Sequence, residues 1–69
     1  MNYKIEELKG RTLSFANNCV NTNSTSTLLE MWHCDANPAD CKRWGIDAEA
    51  WHIAVDAALE YKIGEGCEL

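Results

Sequence analysis

Residues able to face a protein core recur at helical spacing in the first part of the chain. One face of a helix would be formed by Ile5, Leu8, Thr12, Phe15 and Cys19. Their separations of three and four residues are those of an amphipathic α-helix. Gly10 interrupts the pattern, and glycine destabilises a helix by about 1 kcal/mol relative to alanine. The pattern therefore predicts a helix that breaks at Gly10 or begins near Arg11, with a hairpin turning at residues 9–10 as the alternative.

Residues 17–27 are almost entirely Asn, Ser and Thr. These side chains compete for backbone hydrogen bonds and favour turns and helix caps. The run predicts a polar loop with a mobile tip. Ser24 or Ser26 can then serve as the N-cap of a helix that contains residues 28–32, with Glu30 near its N3 position.

Two further helices have clear start and stop signals. Asn37 is a good N-cap, and Pro38 suits the first helical position that follows it. Gly45 is expected to end this short helix. Asp47 then caps a last helix that should run from Ala48 to about residue 63.

The last helix divides into two faces when its residues are placed on a helical wheel. An apolar stripe faces the core and comprises Trp51, Val55, Ala58 and Leu59, widened by Ile53 and Ala54. A polar stripe is expected to face water and comprises Glu49, His52, Asp56 and Glu60. The division predicts an amphipathic helix that covers one side of the domain.

These elements predict a single all-α domain over residues 1–69, built as a small bundle of three or four short helices with a frayed tail at residues 64–69. The expected core comprises Leu8, Leu13, Phe15, Leu28, Leu29, Trp32, Trp44, Ile46, Trp51, Val55 and Leu59. Three tryptophans are many large side chains for the core of a 69-residue domain. At least one is expected to be partly exposed and to serve as a contact residue, because tryptophan is enriched in binding hot spots.

The formal net charge of −5 is unevenly distributed. Residues 1–43 carry five basic and five acidic side chains, whereas residues 44–69 carry one basic and six acidic side chains. Affinity for nucleic acid comes from Lys and Arg, so this surface disfavours direct nucleic-acid binding. It would attract a basic protein surface instead.

The amino-terminal residues have no apolar segment of a secretory signal, and no apolar run approaches the roughly 20 residues that span a bilayer. We therefore expect a soluble cytoplasmic protein without a membrane partner. In that compartment Cys19, Cys34, Cys41 and Cys67 are expected to be free thiols. In an oxidising compartment the four could pair in three ways.

Residues 39–59 resemble a helix-turn-helix motif. A small residue, Cys41, lies four positions before the turn glycine, Gly45, and Ile46 follows the glycine. In such motifs the second helix presents basic and polar side chains to the base edges. The second helix here presents acidic side chains, which departs from that pattern and favours two packed helices joined by a tight turn.

The amino-terminal part carries a second resemblance, in the run Glu7-Leu8-Lys9-Gly10-Arg11-Thr12-Leu13-Ser14-Phe15-Ala16. It resembles the opening of the small NinX-like proteins of lambdoid phages, which read Glu-Leu-x-Gly-x-x-Leu-x-aromatic-Ala. That family has no established activity. The resemblance implies a phage or prophage origin, and small acidic phage proteins often act by binding and disabling a host protein.

Two metal-site patterns are present. The sequence Glu-x-Trp-His occurs at residues 30–33 and again at residues 49–52, and Glu-x-x-His on two helices is part of the di-iron carboxylate signature. A zinc ligand set could be drawn from His33, Cys34, Cys41 and His52, although their spacing matches no common zinc motif. Core tryptophans beside surface histidines, and free cysteines, are the simpler interpretation.

The leading hypothesis is a non-enzymatic, cofactor-free protein that binds and inhibits or modulates a host protein by covering a basic or nucleic-acid-binding surface. The candidate contact residues are Glu49, His52, Asp56, Glu60 and Trp44. The alternatives are a helix-turn-helix regulator that uses Lys42 and Arg43, and a metal-binding helical protein that uses the Glu-x-Trp-His elements. Because the core is small, support from a homodimer is also plausible.

Overall fold

Four α-helices follow one another in the computed structural model, which describes residues 2–64. A short 3₁₀ helix, Ile5–Glu7, precedes α1 (Gly10–Thr22), α2 (Thr25–His33), α3 (Pro38–Trp44) and α4 (Ala48–Gly64). The described residues contain no strand. The predicted all-α bundle is confirmed. None of the helices within residues 2–64 has the length and apolar character needed to cross a membrane.

The predicted break at Gly10 is present. Leu8 closes the 3₁₀ helix by donating its N–H to the Ile5 carbonyl at 3.0 Å, and the backbone at Leu8 and Lys9 is extended. Gly10 begins α1 with φ of 60°, a left-handed conformation that glycine adopts without steric cost. The chain thus turns sharply at Gly10, and the helix that carries Phe15 and Cys19 starts there.

The loop predicted for residues 17–27 is wrong in most of its length. α1 continues to Thr22 and α2 starts at Thr25, so only residues 23 and 24 connect them. Asn and Thr disfavour a helix by no more than about 0.7 kcal/mol per residue. Burial of Cys19 against the core outweighs that preference, and the Lys62 ammonium adds hydrogen bonds to the Val20 carbonyl at 3.3 Å and the Asn23 carbonyl at 2.6 Å.

The predicted N-cap residues are confirmed, but the placement of Glu30 near the N3 position of α2 is wrong, because that position is Thr27. Ser24 is the N-cap of α2, since its Oγ accepts a hydrogen bond from the Thr27 N–H at 3.2 Å. Asn37 accepts in the same way from the Ala39 N–H at 2.9 Å, with Pro38 at the first position of α3. The Asp47 carboxylate accepts from the Ala50 N–H at 2.8 Å, immediately before α4.

The end of α3 also follows the prediction. Gly45 has φ of 66°, in the left-handed region, and the Ile46 N–H donates to the Cys41 carbonyl at 3.0 Å. These are the features of a glycine-terminated helix end. At the end of α4, the helix extends through Gly64, one residue beyond the predicted stop. The tail at residues 65–69, predicted to fray, lies outside the described residues.

α4 occupies the centre of the fold. It packs against α1, α2, α3 and the 3₁₀ helix, and every residue from Ala54 to Leu59 is buried. The alanines in this run let neighbouring helices approach α4 closely, because the separation of packed helices depends on the side chains at the contact. The prediction that α4 covers one side of the domain with a solvated opposite face is therefore wrong in the middle of the helix.

Most of the predicted core is confirmed. The buried residues that were predicted are Leu8, Phe15, Leu28, Trp51, Val55 and Leu59. Leu13, Trp44 and Ile46 are partly buried against them. Phe15 lies at the centre of the aromatic contacts, with its ring centroid 5.7 Å from that of Trp44 and 6.3 Å from that of Trp51.

Leu29 and Trp32 were predicted to be core residues, and this prediction is wrong. Their exposed fractions are 43% and 38%. α2 points Leu28 into the core, and the next residue on a helix is rotated by about 100° from its predecessor. Leu29 therefore faces away from the core. Trp32, in contrast, confirms the expectation that at least one tryptophan is partly exposed.

Candidate protein-binding surface

Asp56 is a buried carboxylate that joins three parts of the chain. Its exposed fraction is 5%. Oδ1 accepts hydrogen bonds from the backbone N–H groups of Asn2 at 2.9 Å and Tyr3 at 3.0 Å. Oδ2 accepts from the indole Nε1–H of Trp32 at 3.1 Å. The prediction that Asp56 faces water is thus wrong, because the amino-terminal segment and α2 both cover this part of α4.

Exposed apolar side chains lie on the segments that bind this buried carboxylate. We define the Trp32 surface as Tyr3, Leu29 and Trp32. Leu29 and Trp32 are three residues apart on α2, a spacing that places them on one helix face. Tyr3 is adjacent because its N–H and the Trp32 indole share the same carboxylate. His33 packs edge-on against the Trp32 ring, with centroids 5.0 Å apart.

The other predicted contact residues of α4 have separate environments. Glu49 and His52 are exposed, and the His52 ring packs edge-on against Trp51, with centroids 5.1 Å apart. Glu60 forms an ion pair with Lys4 at 3.3 Å. Exposed pairs of this kind contribute at most about 1 kcal/mol. The amino-terminal segment therefore lies against α4 at Asp56 and Glu60. Glu49 and His52 lie nearer the start of the helix.

Trp44, the remaining predicted contact residue, belongs chiefly to the packing of α3. Its ring contacts Phe15 of α1, and its side chain is half-buried. The Trp32 ring instead contacts the carboxylate that holds the amino-terminal segment. Of the three tryptophans, Trp32 is the one with a large exposed area.

The helix-turn-helix resemblance predicts two helices joined at Gly45, and α3 and α4 form such a pair, but the middle of α4 is buried. A DNA-reading helix must present an exposed face to the major groove. Residues 54–59 of α4 are buried without a break. The exposed residues of its first half include Glu49 and His52, and the carboxylate would be repelled by phosphate.

The predicted metal ligands do not come together. Among residues 2–64, no three His, Cys, Asp or Glu side chains are placed so that they could hold a metal ion. The two Glu-x-Trp-His elements therefore do not form a shared site there, and neither does the zinc set. Cys19, Cys34 and Cys41 are free thiols, as predicted, while Cys67 lies outside the described residues.

The Cys19 thiol is unreactive near neutral pH. It is fully buried in the core. Burial, together with the smaller effect of the nearby negative charge of Asp40, raises its pKa from 9.0 to about 12. The thiolate is the reactive form of cysteine, so this side chain offers no nucleophile near neutral pH.

A groove lies on the other side of α2, between α2 and α3. We call it the α2–α3 groove, and its volume is about 280 Å³. Its lining comprises Thr27, Glu30, Met31, Cys34, Asp35, Asn37, Asp40 and Trp51. The Trp51 indole Nε1–H donates to the Asp40 carboxylate at 3.3 Å. The lining contains three carboxylates and no basic side chain.

The sequence did not indicate these two features as sites. The sequence pattern gives no signal for Tyr3, and the acidic side chains of the α2–α3 groove lie in residues 1–43, whose net charge is zero. One signal was available for the Trp32 surface. Leu28 and Leu29 are adjacent and lie about 100° apart around the helix, so a narrow packed face centred on Leu28 leaves Leu29 outside it.

The arrangement contains an exposed aromatic residue fixed by hydrogen bonding and acidic side chains on the adjoining helices, and residues 2–64 contain no assembled metal site. Such a surface can bind another macromolecule. Comparison of the chain with known protein families, curated proteins and solved structures gives no match. The phage resemblance of residues 7–16 accordingly stays a prediction.

Proposed function

We propose that this chain is a small, non-enzymatic binding protein that inhibits or modulates a partner by covering a basic surface on it. The Trp32 surface would form the centre of the contact. The observation that carries the proposal is the exposure of Trp32 while its indole N–H is fixed on the buried Asp56 carboxylate.

The fixed position of Trp32 favours binding for an energetic reason. Ordering a flexible side chain at an interface costs about 0.5–1.5 kcal/mol. The Trp32 ring already has one hydrogen bond and one edge-on aromatic contact, so little further ordering is needed. Tryptophan and tyrosine are also enriched among the residues whose truncation weakens binding most.

The charge of the protein favours a basic partner. The net charge is −5, and Glu30, next to Leu29 on α2, and Glu49 on α4 are both exposed. Opposite charges around an apolar centre accelerate association and select the partner. A basic surface that normally holds nucleic acid fits this description, with carboxylates in the place of phosphates. The resemblance to NinX-like phage proteins would make that partner a protein of the host cell.

The test compares two substitutions that each introduce a positive charge at an exposed apolar position. Leu29→Arg places a positive charge in the Trp32 surface, whereas Ile63→Arg places the same charge near the end of α4. The exposed fractions of the two residues are 43% and 41%. The wild-type chain is first used to capture its partner from an extract of the cells in which it naturally occurs, and the purified pair is then studied by calorimetry.

Leu29→Arg is expected to weaken binding by at least about tenfold, equivalent to 1.4 kcal/mol, while Ile63→Arg should change the dissociation constant much less. Raising the salt concentration should weaken the wild-type complex, because charge interactions at the rim are screened. Equal effects of the two substitutions would contradict the assignment of the Trp32 surface. A partner with an acidic contact surface would contradict the charge argument.

A further inference from the structure

We propose that the α2–α3 groove receives one arginine or lysine side chain from the basic partner. The inference rests on the proposed function for the existence of that partner, but it concerns a different face of α2. The groove is lined by side chains of α2, α3 and α4 and by the segment between α2 and α3. It is therefore a feature of the folded chain, and no single helix provides it.

The size of the groove indicates a single side chain. Pockets for drug-sized ligands have volumes of about 300–1,000 Å³, and the groove, at about 280 Å³, lies just below that range. Met31 and Trp51 provide apolar lining for the methylene groups of a long side chain. Lysine and arginine commonly pack these groups on apolar surface while the charged end reaches polar partners.

The charge of the groove indicates a cation. Glu30, Asp35 and Asp40 supply carboxylates, and the lining has no Lys or Arg to neutralise them. The ion pair found within residues 2–64 joins Lys4 and Glu60 and so lies outside the groove. A guanidinium or ammonium group entering the groove would form charge-assisted hydrogen bonds, which are about twice as strong as neutral ones.

The Trp51 indole gives a direct report of occupancy. Its Nε1–H donates to Asp40, so a cation that binds this carboxylate must alter the environment of that proton. The chain has three tryptophans and hence three indole N–H groups. Trp32 donates to Asp56 on the other side of α2, which makes it an internal reference in the same spectrum.

The experiment is a titration of the full-length, ¹⁵N-labelled chain with the capped tripeptide acetyl-Ala-Arg-Ala-amide, followed by two-dimensional NMR. The neutral analogue, with citrulline in place of arginine, is titrated in parallel. The arginine peptide is expected to shift the Trp51 indole signal saturably, together with the amide signals of Asn37 and Ala39. The citrulline peptide should bind at least about tenfold more weakly, since it lacks the charge.

Matched variants separate the groove from general charge attraction. Glu30→Gln/Asp35→Asn removes two charges from the groove, and Glu6→Gln/Glu7→Gln removes two exposed charges elsewhere. The first variant should weaken the arginine peptide by about tenfold or more, whereas the second should change its affinity by less than about twofold. Equal binding of the two peptides, equal loss in the two variants, or an unmoved Trp51 signal would overturn the proposal.

The outcome is independent of the test of the Trp32 surface. A positive peptide titration with unaltered binding of Leu29→Arg to the partner would support the groove and refute the Trp32 surface. A negative titration with impaired Leu29→Arg would do the reverse.

Discussion

Among the acidic residues of α4, Asp56 should be the one whose replacement lowers the free energy of unfolding most. Asp56→Ala removes the acceptor of three hydrogen bonds, from the N–H groups of Asn2 and Tyr3 and from the indole of Trp32. A hydrogen bond to a charged group contributes about 1.5–3 kcal/mol. The two backbone groups can regain water if the amino-terminal segment detaches, whereas the Trp32 indole remains next to the buried site.

We therefore expect Asp56→Ala to reduce the free energy of unfolding by about 1.5–3 kcal/mol, the contribution of one hydrogen bond to a charged group that is lost without replacement by water. A chain of 69 residues has a total stability of about 3–10 kcal/mol at 0.05–0.15 kcal/mol per residue. The loss is therefore a large share of the total. Urea unfolding followed by circular dichroism measures it.

A double-mutant cycle isolates the bond between Asp56 and the indole. Trp32→Phe keeps an aromatic ring but has no N–H to donate. The coupling energy between Trp32→Phe and Asp56→Ala should be about 1.5–3 kcal/mol. Glu49→Ala is the control, because Glu49 is exposed, and it should change stability by no more than about 0.5 kcal/mol. A coupling energy near zero, or equal effects of Asp56→Ala and Glu49→Ala, would refute this account of Asp56.

Four further predictions concern the stability and the thiols. Lys62→Met should lower stability by about 1–3 kcal/mol, measured by urea unfolding, because two carbonyls at the end of α1 lose a charged donor. Gly45→Ala should destabilise more than Gly10→Ala in thermal unfolding. Both positions have positive φ, but a Cβ at position 45 would lie 3.1 Å from an arginine Nη1, whereas position 10 is open. Iodoacetamide at pH 8 should modify the exposed Cys34 and spare Cys19 in the folded chain, as mass spectrometry of the peptides will report. Because the folded-state pKa of Cys19 is raised from 9.0 to about 12, its contribution to stability is complete below pH 9 and should be lost as the pH rises from 9 to 12.

Features fixed by neighbouring residues could be predicted from the sequence. Asn37 and Asp47 cap their helices through N–H groups two and three residues away, and Gly45 ends α3 through its own backbone conformation. Each depends on a few adjacent positions, which is the range over which side-chain type determines conformation. The order of helices and most of the core followed from these signals together with helical periodicity.

Features fixed by distant residues could not be predicted in the same way. Asp56 is buried because the segment that contains Tyr3 covers it in the fold, and the Tyr3 N–H donates to its carboxylate. The two residues are 53 positions apart along the chain. The end of α1 is stabilised by Lys62, whose ammonium bonds to the Asn23 carbonyl 39 positions earlier. Periodicity alone assigns an acidic residue to water, and a run of Asn and Thr to a loop. Tertiary contacts reversed both assignments.

The α2–α3 groove could not be predicted from the sequence for the same reason. Glu30, Asp35 and Asp40 come from α2, the connecting segment and α3, and counting charge along the chain placed them in a neutral half. In the fold, the basic residues of that half lie outside the groove lining. A local excess of negative charge therefore exists where the linear count gave none.

The central position of α4 has a consequence for the order of events during synthesis. α4 is the last helix in the described part of the chain, yet it contributes Trp51, Val55 and Leu59 to the core and contacts each earlier helix. While the ribosome is still translating its codons, α1, α2 and α3 lack the surface on which their apolar side chains are buried, and isolated helices of 7–13 residues are marginal in water. Folding must therefore await the emergence of α4, and a nascent chain stalled before Ala48 should remain sensitive to proteases.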